Sequence, residues 1–157
     1  MPLSLRAATV VRAPAAQVYA LLSTPERLPE WNGAVERACR AMDQPIGLGS
    51  RALVSGRFLG QTLDSETEVV EFDPPRAFAT RALRGPRLVT RFVLELSDAQ
   101  PDLTRVTLDV TGEVPGGRMG AMLAEGLLRS ELSASMERLR GICEREAPRS
   151  GAPNPPR

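Results

Sequence analysis

The sequence predicts an α+β domain in which an antiparallel sheet of about seven strands is covered on one face by a single long C-terminal helix. Three observations lead there. Between residues 3 and 114 the chain reads as alternating runs joined by short turns, the pattern of strands that pair with their sequence neighbours. Residues 117–146 are the only stretch with helical periodicity sustained over many turns. The strands alternate to polar on one side, so the other side needs a cover, and that helix is the only element large enough to supply one.

Taken in order, residues 3–12 are rich in Val and Thr and form a first strand. Ala13-Pro14 ends it, Pro14 suits the first position of a helix, and Val18, Leu21 and Leu22 carry a short amphipathic helix to Ser23. Thr24-Pro25-Glu26 restarts a helix, with Thr24 as cap, a proline at the first position and a carboxylate in the first turn. Pro29 confines it to a short, broken helix over residues 26–31. After Asn32-Gly33 the period changes to two, with strands expected at 35–41, 50–58, 61–72, 77–84, 88–96 and 104–114. Asp73-Pro74-Pro75-Arg76 makes a rigid corner between two of them, since neither proline can donate to a ladder.

The C-terminal helix, about 28 residues and hence about 42 Å long, exceeds the roughly 38 Å diameter of a compact domain of this size. It must cross the whole domain. Met119, Met122, Leu123, Gly126, Leu127, Ser130 and Ala134 share one side, whereas Leu128, Leu132, Met136, Leu139 and Cys143 form a stripe roughly opposite. This change of side predicts that the C-terminal half packs on the sheet while the Met-rich N-terminal half faces a cavity or a lid. Ordinary gap-filling in a core is the alternative for Met119 and Met122. Residues 147–157 hold Pro148, Pro153, Pro155 and Pro156 without apolar periodicity and read as a disordered tail. The domain is therefore placed at residues 1–146.

Composition narrows the function. At 157 residues with 42% hydrophobic and 25% charged side chains, the chain reads as one soluble globular domain able to bury a core unaided. No apolar run approaches a membrane span and the N-terminus lacks a secretory pattern, so a cytoplasmic location and no integral membrane association are expected. A net charge of +1 with interleaved signs offers no basic stripe for nucleic acid. All basic residues are Arg, with no Lys and no His. Schiff-base lysines, histidine bases, Ser-His-Asp or Cys-His arrangements and His-containing metal sites are thereby excluded. Carboxylates, Tyr19, hydroxyls, Arg or water would have to carry any proton transfer. No glycine-rich phosphate loop follows a strand, so neither metal nor organic cofactor is expected. Cys39 and Cys143 read as reduced, half-buried thiols.

Four short segments resemble a known family. Ala13-Pro14 with Val18-Tyr19 resembles its "AP…VW" opening, and Thr24-Pro25-Glu26 with Pro29-Glu30-Trp31 its "DPE…P.W" segment, with Ser23-Thr24 standing in place of the usual Asp. Residues 70–76, Val-Glu-Phe-Asp-Pro-Pro-Arg, resemble its "E.DPPR" and residues 103–107 its "TRVT" strand. Together with the order of elements, they make residues 3–146 resemble the helix-grip fold of the START-like superfamily, also called SRPBCC or birch-pollen-allergen-like. The likeness is strongest to the bacterial polyketide cyclase/dehydrase-like group. The resemblance implies a curved sheet gripping the C-terminal helix around a cavity for an apolar or amphipathic small molecule. Relatives include aromatases and cyclases, lipid carriers, hormone receptors and co-chaperones. The motifs carry no catalytic residue set, and fold does not give function.

Candidate site residues follow. Trp31 could contact a ligand at the cavity mouth or act as a buried anchor. Phe78 and Phe92, like Phe58 and Phe72, are core or cavity wall. Met119, Met122, Leu123 and Leu127 would supply apolar wall on the helix, with Arg81 or Arg91 as polar anchor. Asp64, Glu66 and Glu68 alternate along one strand. If that face turned inward, Glu66 or Glu68 beside Arg81 would be the best available acid/base and carbonyl-orienting pair; a solvated outer face with surface ion pairs is the favoured reading. Binding of a small hydrophobic molecule ranks first, a cofactor-independent cyclase second and a co-chaperone-like interaction module third.

Overall fold

A computed structural model describes residues 2–58, 60–84, 87–113 and 117–147. Its elements are β1 (Pro2–Val11), α1 (Ala15–Ser23), a single 3-10 turn (Pro25–Arg27), α2 (Leu28–Trp31), β2 (Val35–Arg40), β3 (Arg51–Phe58), β4 (Gln61–Asp73), β5 (Ala77–Arg84), β6 (Leu88–Leu96), β7 (Thr104–Glu113) and α3 (Gly117–Glu146). The strands form one curved antiparallel sheet in the order β1-β7-β6-β5-β4-β3-β2. The meander runs from β2 to β7, and β1 closes it by pairing with β7 from Pro2 opposite Glu113 to Val11 opposite Thr104. This is the expected helix-grip architecture. The tail assigned to residues 147–157 lies, apart from Ala147, outside the described residues.

Period-two patterning sorts the sheet into two faces. Leu3, Leu5 and Val11 of β1, Val106, Leu108 and Val110 of β7, and Phe92 and Leu94 of β6 are buried on the concave side. They join Val18, Leu21 and Leu22 of α1 and Met136, Leu139, Ile142 and Cys143 of α3 in one core. α3 lies along β1 and touches α1 and α2. The convex side carries ion pairs. Asp109 accepts from Arg6 Nε at 2.6 Å, and Glu71 from Arg91 Nε at 2.7 Å. The latter bridge spans β4 to β6 across Ala79, which is why so small a residue on the convex side is only 3% exposed.

Side chains fix the short elements to this frame. Arg40 donates to both oxygens of Glu26 through its guanidinium and to Oε2 through its backbone N–H, tying the 3-10 turn to β2. These hydrogen bonds hold the Glu26 carboxyl below its usual range. Arg27 bridges Glu30 and Glu146, joining the start of α2 to the end of α3. Thr24 precedes the 3-10 turn as expected but does not cap it, because its hydroxyl donates back to Ala20 O at 2.6 Å. The two thiols are unlike one another rather than both half-buried: Cys39 is exposed and Cys143 buried. At Gly56 a Cβ would run into the carbonyl of Ala34, which accepts the Arg57 N–H, so only glycine lets β2 approach β3 this closely.

Two irregularities set the faces of β4. Val69 pairs with Thr80 but Glu71 with Ala79, so Val70 is an extra residue and parity reverses there. Between Glu66 and Thr67 the partner jumps from Arg84 to Ala82, leaving Leu83 as the extra residue on β5.

Candidate functional site

Beyond the packed core, the concave face is hollow. A half-open cavity of about 260 Å³ lies over β3, β4, β5 and β6. Its floor is built from concave positions: Ala52, Val54 and Gly56 of β3, Leu63, Ser65, Thr67 and Val69 of β4, Phe78, Thr80 and Ala82 of β5, and Leu88, Thr90 and Phe92 of β6. On the helical side it is bounded by Leu22 and Ser23 of α1, Pro25, and Leu28 and Trp31 of α2, with Asn32, Val35 and Ile46 nearby.

The chain holds this wall rigid at its aromatic end. Trp31 meets Phe92 edge-to-face with ring centroids 5.7 Å apart, and the Trp31 carbonyl accepts from Arg138 Nε of α3 at 3.1 Å. Arg138 also binds Glu131, and both side chains lie over Gly33, where any Cβ would strike them. Beside the cavity on the same face, Tyr19, Phe72 and Phe78 form a cluster of edge-on rings 5.8 to 6.4 Å apart. The Tyr19 hydroxyl donates to Ala77 O at 2.8 Å, and burial pushes its pKa up to about 12. Tyr19 lies outside the cavity lining and is no proton shuttle near neutrality. Burial likewise pushes the Cys143 thiol up to about 11.

Of the expected site residues, the structure brings together Trp31, Phe78 and Phe92, all lining the cavity and only 3%, 5% and 3% exposed. Trp31 is thus buried and part of the cavity wall at once. The others lie elsewhere. Arg81 donates to Glu68 at 2.9 Å, and Glu66 is held by Arg84 at 3.2 Å and more loosely by Arg51 at 3.5 Å. Asp64 accepts from Ser55 and Arg91 binds Glu71. These residues belong to the convex face, because the odd residues Leu63 to Val69 occupy the concave one. Of the two readings of this strand, the structure has the favoured one, a solvated outer face with surface ion pairs, and Glu66, Glu68 and Arg81 form no inward acid/base pair.

The Met-rich half of the long helix is a correction. Met119, Met122, Leu123 and Leu127 are 78%, 68%, 68% and 58% exposed. No described residue of α3 lines the cavity, whose helical side is formed by α1 and α2 instead. The buried residues of α3 are Ala124, Ser135, Met136, Leu139, Ile142 and Cys143, of which Met136, Leu139 and Cys143 belong to the opposite stripe.

Sequence reasoning missed the hydroxyls. Ser65, Thr67, Thr80 and Thr90 line the cavity. Their parity with Leu63, Val69, Phe78 and Phe92 was the available signal. Among the described lining residues there is no carboxylate, cysteine or tyrosine. Arg51 and Arg57 touch the rim, but their guanidinium groups reach Glu66 and Glu36. Among the described residues, no group of three or more His, Cys, Asp or Glu side chains could hold a metal ion. No described helix is long and apolar enough to cross a membrane.

With fold and cavity in view, comparison defines the class. The family model for polyketide cyclase/dehydrase and lipid transport proteins matches residues 2–144, and the chain belongs to that family. Among solved structures it is similar to a START superfamily protein from Mycobacterium smegmatis, with 21% identity over 90% of this chain and 97% of that one and a TM-score of 0.76. It is also similar to TTHA0849 from Thermus thermophilus, with 21% identity over 88% and 95% and a TM-score of 0.73. The Zhui aromatase/cyclase from Streptomyces sp. R1128 aligns at 18% identity over 96% and 99%, with a TM-score of 0.73. At these identities the likeness is one of fold. A search of curated proteins gave no match.

Proposed function

We propose that the protein binds a small hydrophobic or amphipathic molecule in the cavity over β3 to β6. The observation that carries this reading is the lining itself: an apolar, aromatic-edged hollow with a few hydroxyls and, among the described residues, no group able to exchange a proton near neutral pH. Binding asks only for apolar wall and a few polar anchors. Cyclisation or dehydration asks for a base at carbon and an acid at oxygen, each supplying roughly 10²–10⁴-fold. The carboxylates that could serve are bound to arginines on the other face of the sheet. A ligand carrier or sensor therefore ranks above a cyclase.

The volume of about 260 Å³ sits near the lower end of small-molecule sites, about 300–1,000 Å³, and favours a ligand of modest size. Titration with a neutral fluorescent probe such as N-phenyl-1-naphthylamine tests the reading. Saturable one-to-one binding, reversed by a medium-chain alcohol, is expected. Emission that rises without saturation would contradict it.

A further inference from the structure

The cavity's polar atoms are not scattered. Thr80 and Thr90 sit directly opposite one another on β5 and β6, and Thr67 of β4 is diagonal to Thr80, since Thr80 pairs with Val69 and Thr67 with Ala82. All three share the concave face, so their side chains form a band crossing three strands, at a spacing of roughly 5 Å between Thr80 and Thr90 and roughly 7–8 Å between Thr67 and Thr80. Ser65 continues the band but already donates to Arg84 O at 2.7 Å. Among the described residues, the hydroxyls of Thr67, Thr80 and Thr90 make no hydrogen bond within the protein. Valine would fill the same space without a polar atom.

A second observation lies at the aromatic end. Trp31 is 3% exposed, lines the cavity, and among the described residues its indole N–H has no partner. Buried donors without partners are uncommon and costly. Any occupant that seals the cavity desolvates the threonine hydroxyls as well, at about 1–3 kcal/mol for each one left unmatched. A pure hydrocarbon would incur that cost in full. A carboxylate pushed inside would be worse, because among the described residues no cationic group points into the cavity to receive it.

We infer that the cavity selects an uncharged, oxygenated ligand, one whose apolar body meets Val69, Leu88 and Phe92 while two or more hydroxyl or carbonyl oxygens face the Thr67–Thr80–Thr90 band. This deepens the proposed binding function and rests on it. The threonine band determines polarity preference, and the absence of an inward-facing cation rejects anionic analogues.

The test compares 1,3-octanediol, 1-octanol and octanoate, titrated into the full chain at pH 7 by calorimetry and by emission of Trp31, the only tryptophan. The diol is expected to bind about 5- to 10-fold more tightly than the mono-alcohol, as one or two added hydrogen bonds allow, and octanoate at least about 10-fold more weakly than the mono-alcohol. The Thr80→Val/Thr90→Val double variant keeps volume and shape, so it should bring diol and mono-alcohol to within about 2-fold of each other. Octanoate binding as well as octanol, or an undiminished diol preference in the double variant, overturns the inference while leaving the cavity's binding role in place. Absence of binding by all three compounds and by the neutral fluorescent probe overturns both.

Discussion

The two ends of the concave face share one sheet and one curvature, yet one is solid and the other hollow. Under β1, β7 and β6 the inward residues are Leu3, Leu5, Val106, Leu108, Val110 and Leu94, and α1 and α3 lie on top of them. Under β3, β4 and β5 the equivalent positions are Ala52, Gly56, Ser65, Thr67, Thr80 and Ala82. Two causes combine. Small side chains leave space, and α3 runs along the β1 edge instead of across the middle strands, so nothing large descends to fill it. The cavity is therefore written as much in what is small on β3 to β5 as in what is apolar.

Substitutions at the boundary between the two ends should have the largest effect on stability. Trp31→Ala removes a buried ring beside an existing hollow that cannot collapse, so a loss of about 3–5 kcal/mol is expected in urea unfolding. Leu139→Ala in the solid end should cost about 2–5 kcal/mol by the same measurement. A Trp31 variant that unfolds like the wild type would mean the ring is no anchor.

Filling the hollow should do the reverse. Ala82→Phe adds a ring where there is room for one, so stability should stay within about 1 kcal/mol while affinity for the neutral probe falls at least about 10-fold. Wild-type affinity in a folded Ala82→Phe variant would place the probe elsewhere on the molecule.

Smaller effects belong to the surface ion pairs, those of the convex face and those that tie the 3-10 turn and α2 to their neighbours. Arginine hydrogen bonds hold the carboxyls of Glu26, Glu30 and Glu71 below the ordinary 4.5. A carboxyl whose folded pKa is lowered contributes stability above its unfolded pKa and loses that contribution as pH falls through the folded value. Stability should therefore decline below about pH 4.5, and Glu71→Gln should make that decline shallower by less than about 1 kcal/mol, since the pair is well exposed. Chemical denaturation at several pH values checks it. Glu66→Gln and Glu68→Gln should leave probe affinity within about 2-fold, because both side chains are paired outside the cavity.

The fold was legible because its signals are local and periodic. The long helix spans the expected residues, and each strand lies within a few residues of its expected position. The faces of β4 were not legible, and the reason is Val70. This one extra residue reverses parity, so Val70 and Phe72 shared a pattern with Glu66 and Glu68 although Phe72 packs toward the core and the two carboxylates face out. A strand read without its partner cannot reveal a bulge. The helix misled for another reason. Periodicity showed that Met119, Met122, Leu123 and Leu127 share a side, but which side meets the sheet is decided by how α3 lies against β1. Phe78 and Phe92 line the cavity because large rings on concave strand positions belong to core and cavity alike, and Trp31 reaches the same wall from α2.

The claim that the hollow end, and not the exposed stripe of α3, receives the ligand is tested most directly by methyl NMR on the full chain titrated with 1-octanol. The account predicts saturable shifts for the methyls of Val54, Leu63, Val69 and Leu88, with those of Met119, Met122, Leu123 and Leu127 unmoved. Shifts confined to the α3 methyls would contradict it and move the binding surface to the helix.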